Sequence, residues 1–153
     1  MSSLISEIIK EVSALTDPGN VPAACRKETE DDCVLPKNGA AREWTVYGWH
    51  NPHLPPEMRS AILSGEKFEA DEKTDIYIIM AVWYERICGR RAPCSFQIYG
   101  DWRRQIRAGD GLCGGLDEEE RERLVRAVEA GTLRRREDRD LVKILNILKG
   151  TAI

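Results

Sequence analysis

The sequence predicts a small, mainly α-helical single domain over residues 1–153 that ends in an antiparallel helical hairpin. Three observations predict it. Apolar residues recur at intervals of three and four in several segments, as one face of a helix requires. Acidic or hydroxyl residues precede those segments and glycines follow them, the usual start and stop chemistry. At 153 residues, with 42% hydrophobic and 32% charged residues and a mean hydropathy of −0.44, the chain has the length and composition of one soluble globular core.

The first helix is expected over residues 3–15, where Ser2 and Ser3 can cap a stripe of Leu4, Ile5, Ile8, Ile9, Val12 and Leu15. Asp17, Pro18, Gly19 and Asn20 stop it. Residues 17–41 have no apolar period and carry the acidic run Glu28, Glu30, Asp31 and Asp32, so a mobile acidic loop is expected there. A minor β element near residues 43–50, where Trp44 and Val46 alternate with Thr45 and Tyr47, would make the fold α+β, the alternative to the mainly α reading.

Pro55 and Pro56 fit only the start of a helix, and Met58, Ala61, Ile62 and Leu63 continue it as far as Gly65. The run from Ile76 to Ile87 is the most apolar of the chain. Its β-branched content suits a strand ending near Trp83, but its twelve residues, with Asp75 before and Gly89 after, favour a central buried helix. Phe96, Tyr99, Trp102 and Ile106 then recur at near-helical spacing, weakened by Gly100, and a strand over 95–99 is the competing reading.

Asp110, Gly111, Gly114 and Gly115 read as a flexible joint. After them Asp117 caps Glu118, Glu119 and Glu120 in a first turn that suits the helix dipole, with Leu124, Val125 and Val128 as the buried face. The last helix is expected to start at Asp138, beyond Arg134, Arg135 and Arg136, and to bury Leu141, Ile144, Leu145 and Leu148.

Charge is divided along the chain. The net charge is −3, yet residues 1–76 carry 8 Lys and Arg against 14 Asp and Glu, and residues 77–153 carry 15 against 12. No apolar segment is long enough to span a membrane and the N-terminus has no signal-peptide pattern, so a cytoplasmic protein with no membrane partner is expected. In such a compartment the five cysteines are expected to be unpaired by disulfides.

The densest functional signal lies between Trp83 and Arg107. Arg86, Arg90, Arg91, Arg103, Arg104 and Arg107 stand there among Tyr99 and Trp102, facing only Glu85 and Asp101 as acids. Rings stack on bases while guanidinium groups neutralise phosphates, so these residues fit single-stranded nucleic acid or RNA. Tyr, Trp and Arg also dominate protein–protein hot spots, so a protein partner fits as well. The plain alternative makes the rings core and the arginines the solvated flank of amphipathic helices.

The expected function is therefore that of a non-catalytic binding or regulatory protein that presents this Arg-aromatic surface. Two rivals come from other classes. His50 and His53, with Cys25, Cys33, Cys88 and Cys94, are weak candidates for zinc or an iron–sulfur cluster in a metal- or thiol-dependent enzyme; Glu57 follows close behind the histidines. The prolines between them oppose the helical register that would converge two imidazoles, and the cysteine spacings match no zinc or ferredoxin pattern. An acidic inhibitor is the other rival, using the run near Glu28 to Asp32 to mimic nucleic acid in a partner's basic site. No P-loop, dinucleotide fingerprint or nucleophile elbow is present.

Overall fold

The computed structural model describes residues 2–16, 53–64 and 71–151. Among them are six α-helices and no strand: α1 (Ser3–Ala14), α2 (Pro56–Ser64), α3 (Glu72–Cys88), α4 (Asp101–Arg107), α5 (Glu118–Gly131) and α6 (Leu141–Lys149). The acidic loop expected over 17–41 and the β element expected near 43–50 lie outside the described residues.

α3 is the axis of the molecule. Its apolar residues run around the whole helix, so it can lower its free energy only by being covered on all sides. Ile76, Met80 and Ala81 are wholly buried, with Tyr77, Ile78, Ile79, Trp83, Tyr84 and Ile87 nearly so. α1 and α5 pack directly on it, α4 packs on α5, and α5 and α6 form the expected antiparallel hairpin, with α1 laid against α6. Phe96 is fully buried and meets the rings of Tyr77, Tyr84 and Trp102 edge to face at 5.9, 5.8 and 5.5 Å.

Caps account for most boundaries. The Ser2 hydroxyl accepts the Ile5 N–H at 3.2 Å, and the Ser2 N–H donates to Glu120 at the start of α5. Asp117 accepts from the Glu120 N–H while Glu120 accepts from the Asp117 N–H, a reciprocal capping box. α3 begins at Glu72, four residues before the expected start. Asp71 is its cap, accepting from the N–H groups of Lys73 and Thr74 at 3.0 Å, and Asp75 is a buried first-turn residue.

Three further expectations are corrected. Residues 95–99 form a turn instead of a helix or strand, because burying Phe96 and donating the Trp102 Nε1–H to the Phe96 carbonyl at 2.8 Å fixes a reversal there. Gly111–Gly115 is wound into a 3-10 turn that buries Cys113, so it is a packed element and no loose joint. α6 starts at Leu141, capped by Asp140, and not at Asp138; Arg139 is fully buried just before it, and Arg136–Asp138 make a separate 3-10 turn.

Candidate functional site

Gly89 takes a left-handed conformation and closes α3, releasing Arg90 and Arg91 into solvent. The chain then drops Phe96 into the core, rises through Ile98 and Tyr99, and enters α4. On α4, Trp102 and Ile106 face inward, and the helix period decides the rest. Arg103 and Arg107, four apart, reach the same flank of α5. There Arg103 Nε donates to Glu129 at 2.7 Å and Arg107 forks onto Glu122 at 2.9 and 2.8 Å. Gln105 turns the other way, where it accepts the hydroxyl of Tyr84 on α3.

Most of the sequence-predicted cations thus have an internal partner. Arg90 pairs with Asp110 at 3.2 Å and Arg104 with Asp101 at 3.5 Å. Arg86 lies 4.6 Å over the ring of Trp83, whose Nε1–H donates to Glu11 on α1. Arg91 is exposed and makes no ion pair among the described residues. Trp102 is a correction: it is 2% exposed, its N–H is spent on a carbonyl and its face is covered by the Arg103 guanidinium at 4.6 Å, so it offers no ring to a base. Burying that ring removes far more apolar surface from water than stacking one base would.

What the stretch does bring to the surface is a pair of apolar side chains. Ile98 is 75% exposed and Tyr99 56% exposed, next to each other on the 95–99 turn. The Arg103 guanidinium lies close to the residue that follows, since a Cβ built on Gly100 would lie 3.1 Å from its Nη1.

The described metal candidates, His53, Cys88 and Cys94, form no three-ligand group with other described residues. His53 Nε2 lies 2.6 Å from Glu85, whose other oxygen accepts the Ala92 N–H at 2.7 Å, and Glu57 is engaged by Arg139. Cys94 is exposed, while Cys88 is buried. Among the described residues no three His, Cys, Asp or Glu side chains gather as a metal site. His50, Cys25 and Cys33 lie outside the described residues.

Two juxtapositions carry no signal in the sequence: Arg139 with Glu57, and His53 with Glu85. The α4–α5 pairs do carry one, because Arg103 and Arg107 at a spacing of four face Glu122 and Glu129 at a spacing of seven, each set on one helix face. A groove of about 220 Å³ between α5 and the end of α6 is lined by Glu119, Glu122, Arg123, Arg126, Ile147 and Gly150, whose two carboxylates offset its two guanidinium groups. Compared with protein-family models, with curated proteins and with solved structures, the chain shows no match to any of the three.

Proposed function

We propose that this is a non-catalytic protein-binding module whose docking surface is the Ile98–Tyr99 turn. The supporting observation is the exposure of two adjacent large apolar side chains on a turn that Phe96 and Trp102 anchor in the core. A turn held this way loses little conformational freedom on association, and Tyr beside Arg is the composition of interface hot spots. The complementary partner is a protein surface with an apolar pocket.

A protein partner is favoured over nucleic acid by the charge arrangement. Glu122, Glu129, Asp101 and Asp110 sit within ion-pair distance of Arg107, Arg103, Arg104 and Arg90, and each would repel a phosphate brought to its arginine. The test places a photo-crosslinking amino acid at position 99 and, as control, at the exposed Val142. A protein adduct specific to position 99 is expected, competed by excess unmodified chain but not by a folded Ile98→Asp/Tyr99→Ser variant. Equal labelling at both positions, equal competition by that variant, or a nuclease-sensitive adduct overturns the proposal.

A further inference from the structure

Glu119, Glu122, Arg123 and Arg126 follow one another on α5 at steps of three, one and three, so all four stand on one face of the helix. That face and the end of α6, with Ile147 and Gly150, form the groove of about 220 Å³. Opposite charges four apart on a helix ordinarily pair, here Glu119 with Arg123 and Glu122 with Arg126. Neither pair forms. Glu122 instead commits both oxygens to Arg107 on α4. Arg123 reaches across to α6, where its Nη1 donates to the Leu148 carbonyl at 3.3 Å, one of the acceptors a helix end leaves open. Gly150 makes room for this, since it closes α6 at a φ of +76° and a Cβ on it would lie 3.0 Å from the same Nη1.

These diversions leave charges open. Glu119 and Arg126 are exposed and make no hydrogen bond or ion pair among the described residues. The Arg123 Nε is buried with no acceptor among them. With Glu122 already neutralised by Arg107, the groove offers two guanidinium groups and one carboxylate.

We propose that the groove between α5 and α6 is a binding site for a free acidic α-amino acid, glutamate or aspartate. Such a molecule carries two carboxylates and one ammonium, the inverse of the open charges. The order along the helix matches as well. Glu119 and Arg123, one turn apart, receive the ammonium and the carboxylate that share the α-carbon. Arg126, a further turn along, receives the carboxylate at the other end, and Ile147 is the apolar wall for the methylenes between. Guanidinium groups take carboxylates through two parallel N–H donors, which fixes the ligand's orientation. A carboxylate on Arg123 also supplies an acceptor to a covered, charged donor, and leaving such a donor unpaired is costly. The volume falls below the roughly 300–1,000 Å³ of sites for drug-sized ligands, as a small metabolite requires.

The experiment is an amide NMR titration of the full chain at low ionic strength. The probes are L-glutamate and L-aspartate, then glutarate and succinate, which lack the ammonium, and L-glutamine and L-asparagine, which lack the side-chain charge. Saturable shifts confined to α5 and the end of α6 are expected for at least one acidic amino acid. Its diacid and its amide should bind at least about tenfold more weakly, the loss of one charge-assisted contact. Arg126 and Glu119 are exposed and unpaired, so Arg126→Gln and Glu119→Gln should fold as the parent does, checked by thermal melting. Arg126→Gln should weaken the acidic amino acid at least about tenfold and leave the amide unchanged. Glu119→Gln should erase the preference for the amino acid over the diacid. No saturable shift at millimolar concentration, a diacid that binds as tightly as its amino acid, or unchanged affinity in both folded variants overturns the proposal.

Discussion

Arg139 and Glu57 form a buried, two-pronged ion pair, with Nη1 to Oε2 at 2.7 Å and Nη2 to Oε1 at 2.9 Å. The guanidinium is fully covered, and its remaining N–H groups donate to the carbonyls of Leu133, Lys73 and Arg134. It also lies 5.0 Å over the Tyr77 ring. One side chain therefore joins α2, the start of α3 and the α5–α6 connection. Removing one partner of such a pair strands the other charge away from water. Arg139→Leu is expected to lower stability by about 3–5 kcal/mol, read as a fall in the urea midpoint at constant slope. The double variant Arg139→Leu/Glu57→Leu should lose less than the two single losses added together.

Gly111 is the second point of strain in any variant. It has a φ of +56°, and the nearest atoms to an added Cβ are backbone, which cannot rotate aside. Gly111→Ala combines a disfavoured conformation with overpacking, each of about 1–3 kcal/mol. A loss of about 2–4 kcal/mol is expected from chemical denaturation. A loss under about 1 kcal/mol would show that the turn is not pressed on the end of α3.

The helical hairpin and α1 were legible because their determinants are local: Ser2 and Asp117 lie three residues from the N–H groups they cap, and the apolar stripes of α1, α5 and α6 have one period. The bounds of α3 and α6 are less legible. Two acidic residues stand near each start, Asp71 and Asp75 or Asp138 and Asp140, and only burial of Asp75 and Arg139 decides between them. The site was least legible. Whether Trp102 is core or surface depends on Phe96, whose carbonyl takes the indole N–H. Arg139 meets its acid across 82 residues, a separation at which composition and spacing say nothing.

Alkali should unfold the protein through its buried phenols. Tyr77 is 1% exposed, and burial pushes its ionisation up to about 12. An acid whose folded value lies above its unfolded value of about 10 contributes stability below that value, and this is lost as pH rises towards 12. The effect amounts to about 2–3 kcal/mol for a two-unit displacement. Tyr77→Phe cannot ionise, so its stability should fall less steeply between pH 10 and 12 than that of the parent chain, measured by denaturation at each pH. Equal slopes would mean that Tyr77 is not buried as described.

The Arg107–Glu122 fork responds to pH in the opposite sense, and it is half exposed, at 50% and 48%. Its hydrogen bonds hold the Glu122 carboxyl below the usual carboxylate range. A group lowered on folding contributes stability above its unfolded value and loses it as pH falls through the folded one. Solvent and salt screen such a surface pair, so Arg107→Gln should lower stability by less than about 1 kcal/mol at pH 7. The difference from the parent should shrink further at about 0.5 M salt and vanish once acid has protonated Glu122. The same variant should leave photo-crosslinking at position 99 unchanged, because Arg107 turns away to α5. A parallel loss of the adduct would place Arg107 on the docking surface.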